Sequence, residues 1–101
     1  MGITTDSHDG CLHEIEPETG MQKCYLVLPD GERQVLVRPL RLSYKHLVCG
    51  TVTTMARQIA ETMAAQPSYY GATYCATCQN HFMVGAAGQF VWNGTDIKVG
   101  T

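Results

Sequence analysis

Cys75-Ala76-Thr77-Cys78 sets two thiols three residues apart, the spacing at which one tight turn can aim both at a single ion. Upstream, His46-Leu47-Val48-Cys49-Gly50 repeats the arrangement with an imidazole in the first place. Gly50 matters because a turn that points backbone N–H groups at a thiolate needs a residue free of Cβ crowding. The halves read His-x2-Cys, an interval of 25 residues (50–74), then Cys-x2-Cys. Zinc (Zn2+) suits such a set, being borderline-soft and content with four sulfur or nitrogen ligands in a tetrahedron. The expected ligands are His46, Cys49, Cys75 and Cys78. His81, at Cys78-x2-His81, is an alternative nitrogen, and Cys11 an alternative sulfur if its loop swings inward. A lone histidine is more often a surface or hydrogen-bonded residue than a ligand. Cys24 lies in an apolar run and reads as a small buried hydrophobe.

The same residues can be read as redox chemistry. A thioredoxin-type pair should open a helix after a strand. The chain after Cys78 returns to a strand-like pattern, so metal is the better reading. Four protein ligands close a zinc site, whereas catalytic zinc keeps a position open for water. Neither H-E-x-x-H nor H-x-E with a later C-x-x-C occurs, and His13-Glu14 lacks a second histidine four residues on. Ser7, Ser43 and Ser68 stand in no nucleophile elbow, and no Gly-rich phosphate loop is present. A small zinc-dependent hydrolase would need an open coordination position and is the third choice.

The elements that must carry these turns follow from the patterning. Residues 1–20 are polar and read as an irregular arm, with partial order from Cys11 as the alternative. Residues 22–38 read as a β-hairpin: Cys24 to Leu28, a turn at Pro29-Asp30-Gly31-Glu32, then Gln34 to Arg38. Leu40 to Val48 can continue as a short strand. Residues 51–65 read as the main helix, with Val52, Met55 or Ala56, Ile59 and Met63 on one face. Arg57, Gln58, Glu61 and Thr62 fall on the other face, Thr51 or Thr53 serves as cap, and Pro67 ends it. Ala72 to Cys75, His81 to Val84 and Gln89 to Trp92 read as short strands, the last two joined by a turn at residues 85–88. Ile97 to Val99 can add another. The expected fold is a small zinc-stabilised α+β domain with a β-hairpin, one main helix and a short C-terminal antiparallel sheet.

Composition bounds the function. A chain of 101 residues fits one domain with a thin core, the size at which proteins recruit a metal or disulfides. Hydrophobic residues are 45% and charged residues 16%, too apolar for disorder. No run reaches a membrane span, and the first ten residues lack a signal-peptide pattern. The expected location is therefore the cytoplasm, where thiols stay reduced and Cys/His clusters bind metal more often than they pair. Five cysteines, an odd count, point the same way. A net charge of −2 with seven Lys/Arg argues against a broad phosphate-binding surface.

Tyr69, Tyr70, Tyr74, Phe82, Phe90 and Trp92 crowd the second half and could stack on single-stranded nucleic acid. Only Lys98 is basic after Arg57, so filling the core is the better reading. Arg33, Arg38, Arg41 and Lys45 form the densest basic set. Arg33, Arg38, Arg41, Tyr69 and Tyr70 are the candidates for contact with a partner protein.

A string of words in the second half resembles a known group. Cys49-Gly50-Thr51-Val52-Thr53-Thr54-Met55, Ile59-Ala60-Glu61-Thr62, Tyr70-Gly71-Ala72-Thr73-Tyr74-Cys75 to Cys78, His81-Phe82, Phe90-Val91-Trp92 and Val99-Gly100 resemble small bacteriophage-encoded proteins of unassigned function. The resemblance covers residues 46–101. It implies a viral gene expressed in a bacterial host cytoplasm, with a zinc-ribbon-like core on Cys49, Cys75, Cys78 and a histidine. The expected function is that of a non-enzymatic accessory protein that binds a host protein complex, for instance as an inhibitor of a CRISPR-type defence. A nucleic-acid-binding zinc ribbon is the second choice.

Overall fold

A computed structural model describes residues 2–101; Met1, the head of the expected arm, lies outside them. Among the described residues seven short strands fall in three small sheets, with one main helix beside them. The first sheet pairs β1 (Gly2–Thr4) with β2 (Cys24–Leu26) in parallel. The stretch expected to be irregular thus carries a strand. It also carries a 3-10 turn, Gly10–His13, which the Asp9 side chain caps by accepting from the Cys11 N–H.

The expected hairpin over 22–38 does not form. After β2 the chain enters a one-turn helix, α1 (Asp30–Arg33), with Asp30 and Glu32 in its first turn. Glu32 and Arg33 donate their N–H groups to the Pro29 carbonyl, so the turn residues close helical bonds instead of reversing a strand. Residues 34–38 make no ladder. The N–H groups of Val37 and Arg38 both donate to the Ala64 carbonyl, satisfying the end of the main helix. Val35 and Val37 are consequently exposed.

The second sheet has the order β4-β3-β7, all antiparallel: β3 (Ser43–His46), β4 (Val52–Thr54) and β7 (Phe90–Trp92). Val52, expected on the helix, pairs with Lys45 instead and is exposed. The β-branched run Thr51 to Thr54 is stiff at χ1 and suits a pleated strand better than a helix. The main helix, α2 (Arg57–Ala65), therefore starts later than expected, with Ala56 at its N-cap and no threonine cap. It buries Ile59 and Met63 as expected, and Thr62 as well. The Thr62 hydroxyl donates to Gln58 O (2.8 Å) and accepts the Leu28 N–H (3.2 Å), which makes a fully buried hydroxyl tolerable.

The third sheet is the antiparallel hairpin of β5 (Ala72–Cys75) and β6 (Asn80–Met83). The turn at 85–88 exists, but its flanking strands do not pair with each other: β6 joins β5, and β7 joins β3. Lys98 makes a single bridge to Val91. Val27, Tyr44, Ile59, Met63, Cys75, Phe90, Trp92 and Val99 form the core that joins the pieces. No helix among the described residues is long and apolar enough to cross a membrane.

Candidate metal centre

Each of the two larger antiparallel pairs turns through one half of the motif. Between β3 and β4 the chain runs His46-Leu47-Val48-Cys49-Gly50, closed by Gly50 N–H to His46 O at 2.7 Å. Between β5 and β6 it runs Cys75-Ala76-Thr77-Cys78-Gln79, closed by Gln79 N–H to Cys75 O at 2.9 Å. The residue after the second ligand is left-handed in both, Gly50 at φ +77° and Gln79 at φ +52°. Glycine adopts that conformation freely, and Gln79 does so at some cost. A hydroxyl pair, Thr51 Oγ1 to Thr77 Oγ1 at 2.5 Å, ties one turn to the other.

The turns meet so that ligand atoms of His46, Cys49, Cys75 and Cys78 all lie within 4.8 Å of one another. His46 Nδ1 is 3.3 Å from Cys49 Sγ and 3.7 Å from Cys78 Sγ, and Cys49 Sγ is 3.4 Å from Cys75 Sγ. These sulfurs are too far apart to be bonded and close enough to share an ion. The four residues can hold a metal ion, and they are the four expected from spacing.

His46 is the most constrained of them. It is 1% exposed and its ring stacks against Phe82 and Phe90, each at 4.7 Å between centroids. Its Nε2 lies 2.7 Å from Gln89 Oε1. A carbonyl oxygen can only accept, so the proton sits on Nε2 and the Nδ1 lone pair faces the sulfurs. Cys75 is fully buried, whereas Cys49 and Cys78 face outward. Hydrogen bonds from Thr51, side chain first and backbone second, pull the Cys49 thiol down to about 6. Desolvation, then the neighbouring Cys75 and Cys49 sulfurs, push Cys78 up to about 11. Crowded thiols resist losing a second proton, and a bound cation reverses that balance.

The alternative ligands lie elsewhere. Cys11 is joined to Cys24 in a disulfide, with Cα atoms 5.4 Å apart, which corrects both the reading of Cys11 as a free ligand and the expectation that the thiols stay unpaired. The bond closes the loop between β1 and β2, where parallel pairing already brings the chain back on itself. Cys24 is buried, as expected. His81 points its Nε2 at the Tyr25 hydroxyl, 2.8 Å away, and is outside the cluster.

The expected partner contacts are unevenly placed. The Arg33 side chain is 12% exposed and is engaged by Glu61 (2.6 Å), by Asp30 and by the Leu28 carbonyl (2.8 Å), so it clamps α1 to α2 and is not offered to a partner. Arg38 is exposed and donates to the Thr101 carbonyl at 3.1 Å. Arg41 lies over the Trp92 ring at 5.9 Å. Tyr70 donates to Leu26 O, and Tyr69 packs edge-on against it. Sequence reasoning missed Gln89. It stands 43 positions from His46, and no local pattern joins the two.

The chain matches no family model, no curated protein and no solved structure.

Proposed function

We propose that the protein is a non-enzymatic binding module whose small fold is held by one structural zinc ion on His46, Cys49, Cys75 and Cys78. The observation that carries this reading is the mutual approach of one nitrogen and three sulfurs on two facing turns. A tetrahedral zinc with bonds of about 2.3 Å to sulfur and 2.0–2.1 Å to nitrogen separates its donors by roughly 3.5–3.8 Å. Three of the six separations, 3.3 to 3.7 Å, sit close to that, and none exceeds 4.8 Å. A donor set of four protein atoms leaves no water position, which argues against hydrolysis.

The partner we favour is a protein of a bacterial host, the class implied by the resemblance to phage-encoded proteins. What supports a protein over nucleic acid is a net charge of −2 and the exposed apolar tip of the first turn, Leu47 and Val48. Elemental analysis of the purified protein tests the central claim. About one zinc per chain is expected, lost in Cys75→Ser and Cys78→Ser. A native protein with no bound metal sinks the reading. Tight binding to DNA or RNA that weakens steeply with salt would replace the proposed partner class while leaving the metal claim standing.

A further inference from the structure

His81, Tyr69 and Tyr70 take no part in the metal cluster, yet all three line one cleft of about 300 Å3. Leu12 of the arm, Gln22 just before β2 and Tyr25 of β2 also line it. That volume is at the lower end of the range for small-ligand sites. Among the described residues no Asp, Glu, Lys or Arg lines the cleft, so no charged side chain of the lining would meet a phosphate or a carboxylate. What it offers is aromatic surface. Tyr69 and Tyr70 meet edge to face at 5.1 Å and 83°, so each orients the other. The Tyr70 hydroxyl is spent on the Leu26 carbonyl.

The polar group in this lining is set by a short chain of hydrogen bonds. The Tyr25 oxygen accepts the Gln22 N–H at 3.3 Å and lies 2.8 Å from His81 Nε2. The Tyr25 hydroxyl has no other acceptor among the described residues, so its O–H donates to Nε2, and the imidazole keeps its proton on Nδ1. Burial favours the neutral ring, holding His81 below its ordinary pKa. Nδ1 then presents an N–H donor with no protein partner among the described residues. The cleft is also held in shape. The disulfide joins Cys11 to Cys24, the chain neighbours of Leu12 and Tyr25. A site fixed before binding loses less entropy when it is filled.

We propose that this cleft binds a neutral, planar heteroaromatic ring of nucleobase size, which packs on the tyrosine rings and accepts a hydrogen bond from His81 Nδ1. Every nucleobase has π faces to stack, and stacking needs no cationic groups. A ring nitrogen or carbonyl oxygen satisfies the donor, which an aliphatic or purely hydrocarbon ligand leaves unmatched. A free nucleoside and a base in an unpaired strand both supply this chemistry. The inference goes beyond the metal reading and stands without it.

The test is an amide NMR titration of the full chain, purified with whatever metal it carries. Quinoline and indole are the first probes, bicycles of similar size that differ in offering a ring-nitrogen acceptor or only a donor. Signals of Leu26, Gly71 and Ala72 are expected to shift, with quinoline binding roughly three- to tenfold tighter than indole. His81→Phe keeps a ring and removes the donor, so the ratio should collapse to about one. Tyr69→Ala removes a stacking wall whose hydroxyl has no hydrogen-bond partner among the described residues, and should weaken both probes. No shift at millimolar quinoline overturns the proposal, as do shifts confined to Gly50 and Gln79 at the metal turns. If His81→Phe does not fold, an unchanged quinoline affinity in Tyr69→Ala overturns it. Adenosine and a short unpaired oligo(dA) strand are then titrated. Binding of adenosine alone assigns the free nucleoside, and much tighter binding of the strand assigns the strand. Failure of both to bind overturns the nucleobase-size claim.

Discussion

Nε2 of His46 and Oε1 of Gln89 lie 2.7 Å apart, and that contact fixes which ring nitrogen faces the three sulfurs. Without Gln89 the imidazole can turn or take the other tautomer. Gln89→Ala should therefore leave about one metal per chain while lowering affinity roughly 10- to 100-fold, the usual cost of losing an outer hydrogen bond to a ligating histidine. Competition with a chromophoric chelator measures it. An unchanged affinity would show that stacking on Phe82 and Phe90 alone positions the ring.

Removing the metal should cost much of the stability. An ion present at a thousandfold excess over its Kd contributes about 4 kcal/mol. For a domain of this size that corresponds to a fall in Tm of roughly 15–30 °C on chelation. Cys75→Ser should show the same low Tm with or without chelator. His81→Ala, outside the cluster, should keep its metal. A chelator that leaves the melting curve unmoved would rule out a structural role for the ion.

Metal affinity should fall on acidification. Binding needs thiolates, so acid favours the metal-free chain. With Cys78 pushed up to about 11, its proton must leave when metal binds at neutral pH, and this alone gives about a tenfold loss of affinity per pH unit lost, the least slope expected of a three-thiolate set. Below about 6, Cys49 also becomes protonated and the slope steepens. Calorimetry in buffers of different ionisation enthalpy reads the released protons. Flat affinity between pH 6 and 8 contradicts this.

Thiol counting checks the covalent link. Alkylation of the unfolded, metal-stripped chain should modify three cysteines without reductant and five with it, because Cys11 and Cys24 are paired. Five modified cysteines before reduction would mean that the pair is open in the purified protein.

The hydroxyl of Thr62 holds the Leu28 N–H inside the core. Thr62→Val keeps the shape and strands that donor, at a cost of about 1–3 kcal/mol. Urea unfolding of the metal-loaded protein should show a lower midpoint with an unchanged slope.

The contrast between Thr62 and Cys75 explains what the sequence made legible. The metal turns are local devices: three residues of spacing and one residue in a left-handed conformation define each, and no distant partner is needed to recognise them. The side of α2 on which Thr62 falls depends on Leu28, 34 positions away, and periodicity alone assigned it to solvent. Pro29-Asp30-Gly31-Glu32 fails for a different reason. Proline followed by acidic residues suits a first helical turn as well as a reversal, and contact with α2 decides between them. Val52 to Thr54 carry a helical spacing and a strand composition together, and pairing with β3 settled the conflict. The strands between Ala72 and Trp92 were legible one by one. Their partners were not, because a turn such as residues 85–88 permits pairing without imposing it.

The arm and the metal turns also touch. Gly20, at φ +76°, comes so near the Gln79 carbonyl that a Cβ there would collide with it. The Tyr74 hydroxyl donates to the Thr19 carbonyl, one residue before. Gly20 lies inside the loop closed by the disulfide, and Gln79 follows the last residue of the candidate metal cluster. With an ion held as proposed, the disulfide and the metal cluster would act in series along a single mechanical path. On that reading slack in one would pass to the other, and removing the ion should loosen the amino-terminal end and open it to a protease.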